Sequence, residues 1–262
     1  MNEAELLFTR ALNCDRLSLY ADKALVLDKD SSFFISSVLK RRISGEPIQY
    51  ILGNTEFMGL DFKVTPDVLI PRQETEVLVE AVISWAGKAT SLNILDLGTG
   101  SGCIAISLAK FIPWANITAV DFSDNALAVA KENAQSNKVD VDFKRSDLFE
   151  VFSLSPVTYD LIVSNPPYVA SLEIERLQRE VKYEPLVALD GGADGLDFYR
   201  RIINDSPSFL KDGGLLVVEM GFGQREAIER IFAESGNFEI IEVAKDYSGI
   251  ERVIAGRKLK GR

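Results

Sequence analysis

The chain reads as an α/β protein: a mainly parallel sheet with helices on both faces, ending in an antiparallel edge pair and preceded by a small helical segment. Three observations predict this. From residue 93, candidate strands at 93–97, 117–121, 140–144, 159–164 and 214–219 alternate with helical patterns at about 102–110, 124–136, 195–210 and 223–234. Alternation of this kind builds parallel strands, whose crossovers need a helix, and covers both sheet faces. The tail differs: Phe238 to Val243 and Val253 to Arg257 are separated by the polar turn Asp246-Tyr247-Ser248-Gly249, a connection that joins only antiparallel neighbours. Residues 1–45 carry helical spacing instead, with Ala4, Leu7 and Ala11 in one stretch and Phe34, Ile35, Val38 and Leu39 in a second.

Taken in order, Ser31 is placed to cap the second helix, and Gly45-Glu46-Pro47 ends it. Lys40-Arg41-Arg42 fits a solvated face at a helix C-terminus, where cations oppose the dipole. Residues 48–70 change character. Ile48, Tyr50, Phe57, Phe62, Val64 and Val68 sit among Gly53, Gly59 and Pro66, the pattern of short strands or a hairpin connecting two domains. Ile70-Pro71-Arg72-Gln73-Glu74-Thr75-Glu76 then leads into a helix over about 75–86 with Val77, Leu78, Ala81 and Val82 on its apolar face.

Composition bounds the chemistry. Of 262 residues 47% are apolar, which excludes a mostly disordered chain. Lys and Arg number 29 against 39 Asp and Glu, a net charge of −10 that disfavours long-range attraction to nucleic acid. Histidine is absent, so no histidine base, triad or metal ligand is available. Cys14 and Cys103 are the only thiols, with no CxxC pair, and Cys103 reads as a small packing residue. No apolar run approaches membrane-spanning length and no basic-then-apolar leader opens the sequence, so a cytoplasmic protein is expected.

A cofactor end is visible where the first strand of the alternating region stops. Ile94-Leu95-Asp96-Leu97 runs into Gly98-Thr99-Gly100-Ser101-Gly102, and Cys103 opens a helix. Glycines there let a ligand approach the backbone beside a helix N-terminus. The spacing is GxGxG rather than the dinucleotide GxGxxG, whose third glycine position holds Cys103. The next strand ends at Asp121, 21 positions after Gly100. A carboxylate there can accept both ribose hydroxyls of a nucleoside, or serve as a turn residue beside Ser123. Asp147 and Leu148 either meet an adenine amino group and cover its ring or form turn and core. Asp96 either places the glycine loop or meets an amino group through water. A nucleoside without pyrophosphate, carrying an amino-acid end, favours S-adenosylmethionine over NAD.

The reacting end is sharper. Leu161-Ile162-Val163-Ser164 is a buried-type strand halted by Asn165-Pro166-Pro167-Tyr168. Proline cannot extend the ladder and keeps Asn165 out of the helical region. Asn165 therefore sits stiffly at the strand's carboxyl end, on the edge that carries the glycine loop. Its side-chain carbonyl can accept one N–H of a planar NH₂ group, the Pro166 carbonyl the other, and Tyr168 can pack on the plane. Two acceptors aim the nitrogen lone pair and favour positive charge developing there. With no histidine present, proton loss through water is expected. Glu219 ends the fifth strand near the pocket with no chemical role assigned; Phe198 and Tyr199 read as packing residues.

These residues, together with Gly45-Glu46-Pro47-Ile48-Gln49-Tyr50, Ile70-Pro71-Arg72, Tyr183-Glu184-Pro185, Ala188 to Leu196 and Tyr199-Arg200, resemble the protein-glutamine methyltransferases that modify peptide chain release factors, the HemK or PrmC family. The resemblance spans nearly the whole chain, departing at Gln73, where many relatives have proline, and in a slightly short N-terminal domain. It implies a seven-stranded Rossmann-like methyltransferase domain over 71–262, a β-hairpin connector over 48–70 and a helical docking domain over 1–47. It implies S-adenosylmethionine as cofactor, held by Gly98 to Gly102, Asp121, Asp147, Leu148 and Asn165. The substrate would be the glutamine of the release factor's Gly-Gly-Gln loop, clamped by Asn165, Pro166, Pro167 and Tyr168, in a monomer that needs neither nucleic acid nor membrane. Glu184-Pro185 and Gly191 to Gly195 would either wall the glutamine channel or form a turn. The rival readings are a DNA or RNA amino methyltransferase holding a flipped base, an NAD-dependent oxidoreductase, and a non-catalytic module that kept the fold.

Overall fold

A computed structural model describes residues 2–22, 24–87, 91–153 and 157–261; Met1 and Lys23, within the span expected to be helical, lie outside these. Helices α1 (Glu3–Leu12), α2 (Arg16–Ala21) and α3 (Lys29–Ile43) form the N-terminal part. Asn2 and Glu5 make a reciprocal capping box on α1. The cap of α3 is Asp28, whose carboxylate accepts the Ser31 N–H at 2.7 Å. Ser31 therefore sits inside the first turn rather than at the cap, and its hydroxyl donates to the Ala11 carbonyl.

The next segment opens as a helix, not a strand. Helix α4 (Ile48–Leu52) starts after Pro47 and stops at Gly53, and Ile48 packs with Leu7 and Val38. Proline before a helix and glycine after it are ordinary stop and start signals, masked here by a helix of a single turn. The expected hairpin follows as β1 (Asn54–Phe57) and β2 (Leu60–Lys63), paired antiparallel.

The rest of the chain alternates as expected. In order come α5 (Gln73–Ala86), β3 (Leu92–Leu97), α6 (Cys103–Phe111), β4 (Ala115–Asp121), α7 (Asp124–Asn137), β5 (Asp142–Arg145) and β6 (Tyr159–Ser164). Then come α8 (Asp197–Asp205), β7 (Leu210–Glu219), α9 (Arg225–Ser235), β8 (Phe238–Lys245) and β9 (Glu251–Lys258). Among the described residues the strands form one seven-stranded sheet in the order β5-β4-β3-β6-β7-β9-β8. The first five are parallel; β9 inserts antiparallel between β7 and β8. Helix α8 is shorter than its apolar pattern, because Pro207 follows in a single 3₁₀ turn and β7 begins at Leu210.

Alternate strand residues feed two cores, which is why these strands read as continuous apolar runs. Leu161, Val163 and Val217 face the core under α5 and α6, whereas Ile162, Leu216 and Val218 face Tyr199, Ile202 and Phe232 of α8 and α9. The hairpin is tied to α7 by Asn133, whose amide accepts from the Lys63 N–H at 2.7 Å and donates to the Lys63 and Ser101 carbonyls. Among the described residues no helix is long and apolar enough to cross a membrane.

Candidate active site

Parallel pairing brings the two sequence signals to one edge. Leu97 pairs with Val120 and with Ser164, and Ser164 pairs with Val218. The residues one step further, Gly98, Asp121, Asn165 and Glu219, therefore form a row across the carboxyl ends of β3, β4, β6 and β7. Carboxyl ends of parallel strands are where open α/β sheets bind ligands.

Gly98 and Gly100 line a cavity of about 470 Å³ at this edge, with φ of 72° and 56°. The loop is pinned by the Gly98 and Thr99 N–H groups donating to the Val120 carbonyl, and by the Gly100 N–H donating to Asp121 Oδ2 at 2.8 Å. Asp121 Oδ1 accepts the Ser123 N–H, while Ser123 itself caps α7. Burial raises the Asp121 pKa against these bonds. Thr99, Ser101 and Gly102 turn inward. Thr99 donates to Asp96 Oδ2 at 2.6 Å, and the Ser101 carbonyl receives Asn133. A Cβ on Gly102 would lie 2.8 Å from Ile106.

Asp147 and Leu148 also reach the cavity wall, with Phe122 beside them. Asp147 is paired with Arg201 at 2.8 Å. Leu148 adopts φ 48°, a left-handed conformation stabilised by the Ser146 hydroxyl, which donates to the Leu148 carbonyl and accepts the Val151 N–H. The wall carries Asp67, Asp121, Asp147 and Asp190 against one basic side chain, Arg201. Such a wall suits a ligand bearing positive charge and opposes a pyrophosphate. Asp96, wholly buried beneath the loop, has its pKa raised to about 7 by burial, and its Oδ1 has no partner. Acidic walls and an unpartnered buried oxygen beneath the loop fit S-adenosylmethionine, a nucleoside with two cationic centres.

At the other end, Asn165, Pro166 and Pro167 line the same cavity. Asn165 Nδ2 donates to Thr75 Oγ1 at 3.1 Å, and Thr75 Oγ1 donates to Glu219 Oε2 at 2.6 Å. The amide nitrogen is thus engaged inward, and Oδ1 is the atom left for the cavity. Tyr168 packs half-buried with the α8 and α9 core and against Gly221, not on the cavity wall. Its carbonyl accepts Gln224 Nε2 at 3.0 Å, and Gln224 Oε1 accepts the Gly221 N–H. The glycine-rich segment backs this run. Val169 bridges Asp190, the Gly191 N–H donates to the Val169 carbonyl at 2.8 Å, and Gly195 lies against the Tyr168 carbonyl. Pro185 to Ala188 line the cavity. Of the residues expected here, Pro185 lines the cavity and Gly191 to Gly195 form the turn into α8.

Thr75 and Gln224 are site residues that the sequence reading does not reach, and Glu219, expected near the pocket, carries no assigned role there. The signals are Glu219 at its strand end and Thr75 within the run from Ile70 to Glu76, which reads as a lead-in to a helix. Among the described residues no cluster of acidic and thiol groups could hold a metal ion.

The fold and the edge site define a Rossmann-like methyltransferase. Residues 73–181 match the family model described as methyltransferase small domain, and residues 1–53 that described as PrmC N-terminal domain. A release factor glutamine methyltransferase of Geobacter sulfurreducens is 46% identical, covering 97% of this chain and 88% of the relative. One of Koribacter versatilis is 43% identical over 97% and 90%. A solved methyltransferase from Pyrococcus furiosus superposes with a TM-score of 0.59 at 17% identity, over 86% of this chain and 99% of that one. The chain belongs to the release factor glutamine methyltransferase family.

Proposed function

We propose that the protein methylates the side-chain amide nitrogen of the glutamine in the Gly-Gly-Gln loop of peptide chain release factors, giving N5-methylglutamine. When bound, S-adenosylmethionine supplies an electrophilic methyl group. The reading rests on one observation: Asn165 lines the cavity that the glycine loop also lines, and its amide nitrogen is engaged by Thr75, which leaves the carbonyl oxygen as its free acceptor.

The chain's own residues hold and orient. Gly98 and Gly100 give backbone access, Asp121 receives the ribose hydroxyls, and Leu148 and Phe122 flank the adenine. Thr99, Ser101 and Gly102 shape the loop from behind, and Asp147 contributes beside its Arg201 partner. Asn165 Oδ1 and the Pro166 carbonyl accept the two N–H groups of the glutamine amide, so its nitrogen lone pair points toward the cofactor side. Acceptors at an amine that gains positive charge strengthen as the reaction proceeds. Pro167 stiffens the clamp and Tyr168 anchors it through the core. The shed proton passes to water.

The helical segment over 1–47 docks the protein substrate; the exposed Leu17, Tyr20, Val26, Phe33 and Ile43 support this role. The connector spans 48–70 and the catalytic domain 71–262. The enzyme works as a monomer in the cytoplasm, without nucleic acid. Incubation of purified release factor with S-adenosylmethionine tests the proposal by peptide mass spectrometry. One methyl group should localise to the glutamine amide, and Asn165→Ala should abolish it while leaving cofactor affinity within a few-fold. Label entering DNA or RNA and never release factor would overturn the assignment.

A further inference from the structure

Thr75 is the third residue of α5, 2% exposed, and Glu219 ends β7, 1% exposed. Neither touches the cavity, yet both meet behind Asn165. A threonine hydroxyl has a single hydrogen to give. A carboxylate can only accept, so an ionised Glu219 claims that hydrogen across 2.6 Å. The hydroxyl lone pairs are then left for Asn165 Nδ2 at 3.1 Å. An asparagine amide has one donor end and one acceptor end; fixing the donor inward sends the acceptor outward.

We propose that Thr75 and Glu219 are positioning residues for methyl transfer, the Glu219 carboxylate setting the direction of the Thr75 hydroxyl and thereby holding Asn165 Oδ1 toward the substrate amide. The proposal rests on the reading of Asn165 as the amide acceptor. It also names the state in which the clamp fails. A protonated Glu219 donates to Thr75, the Thr75 hydrogen turns to Asn165, and the amide rotates to accept it. The cavity then meets an NH₂ group, which faces the substrate NH₂ donor to donor.

That second state lies within reach. Burial raises the Glu219 pKa to about 7, opposed by the Thr75 hydrogen bond and by Arg252 of β9. Glu74 of α5 raises it further. Tyr168, Tyr199 of α8 and Cys103 of α6 also face the carboxylate, and its charge disfavours ionisation of each. The acid side of the turnover profile should therefore report Glu219.

The test is steady-state methylation of release factor across pH 5.5–9 with the full-length enzyme, and calorimetry of cofactor binding. Wild-type kcat should fall about tenfold per pH unit on the acid side of neutrality. Thr75→Val should lower kcat about 100-fold, the loss expected from a clamp out of position, with KM and cofactor affinity within about threefold. Its residual activity should lose the acid limb, whereas a Glu219 that acted as a base on its own would keep it. Thr75→Ser should restore most of kcat, and Glu219→Gln, which cannot titrate, should be flat with pH. Wild-type turnover in Thr75→Val, or an unchanged acid limb in Glu219→Gln, overturns the proposal. If Thr75→Val fails to bind cofactor and so is misfolded, Thr75→Ser and Glu219→Gln decide it. Full activity in Asn165→Ala would instead sink the acceptor reading beneath it, and the proposal with it; an inactive Asn165→Ala beside an active Thr75→Val would sink the relay alone.

Discussion

Gly195 offers the most direct perturbation of the clamp from outside the cavity. Its φ is 75°, and a Cβ built there would lie 2.4 Å from the Tyr168 carbonyl oxygen and 3.0 Å from Gln224 Nε2. Gly195→Ala therefore carries a left-handed alanine, costing roughly 1–2 kcal/mol. Ordinary contact begins at 3.4 Å, so the carbonyl must also retreat by 3.4 − 2.4 = 1.0 Å. Forcing such an overlap costs about 1–3 kcal/mol. The displaced carbonyl loses its bond from Gln224, worth about 1 kcal/mol. A total of about 4 kcal/mol would lower the melting temperature by about 10 °C in a chain of this size. Because the retreating atom belongs to Asn165-Pro166-Pro167-Tyr168, kcat should fall about 100-fold. Gly236 is the control. Its φ is 63° at the C-terminus of α9 and nothing lies within 4 Å of its built Cβ. Gly236→Ala should cost only about 1–2 kcal/mol and leave turnover alone. Calorimetric melting and single-turnover methylation measure both quantities. Equal behaviour of the two variants would refute the idea that this segment braces the clamp.

Tyr50→Phe removes a buried hydroxyl that donates to the Val68 carbonyl; urea denaturation should show a loss of about 1–2 kcal/mol with turnover unchanged. The carboxyl of Glu5 is held near pKa 2 by the Asn2 backbone, Tyr20 and Arg16, so its contribution is present above about pH 4.5 and lost as pH falls through about 2. Glu5→Gln should accordingly speed amide exchange in α1 and α2 at pH 7. Burial raises Asp96 to about 7, so the native state keeps a proton there that the unfolded chain has released. Stability of the cofactor-free enzyme should therefore fall as pH rises from about 4 to about 7. Asp96→Asn should remove that contribution, seen as a higher melting temperature at pH 8 than the wild type, while weakening cofactor binding.

The sheet was legible because each strand's apolar run is bounded by a residue that cannot continue it. Gly98 ends β3, Asp121 ends β4 and the Pro166-Pro167 pair follows β6 one residue on, at Asn165. Parallel register then brings these breaks to one edge with no further information. What stayed hidden depended on long-range contacts. Thr75 is remote from Asn165 and Glu219 in sequence, and a helix-start threonine carries no mark of a partner. Tyr168 followed the amide motif and was expected on the substrate plane, but the Gly221 and Gln224 turn draws it into the core. Single-turn helix α4 was misread because its five residues cannot show a helical period.

The segment between β6 and α8 links the helical segment to the sheet edge. It starts at the clamp and touches the helical segment before returning. Arg42 at the end of α3 pairs with Glu180, the Tyr183 hydroxyl donates to the Ser44 carbonyl at 3.0 Å, and Arg179 packs across Gly45. One residue later Glu184, 6% exposed, accepts the Ile70 N–H at 3.2 Å and pairs with Arg72. A buried carboxylate with a single cationic partner tolerates little displacement, because separating them leaves a charge stranded. Pro185 to Ala188 follow directly and form the cavity wall, and Asp190 then bridges Val169 beside the clamp. Arg72 lies three residues before Thr75, so α5 enters the site already fixed by the same carboxylate. An unbroken run of contacts thus joins the C-terminal end of α3 to the cavity wall, with Glu184 as their common anchor.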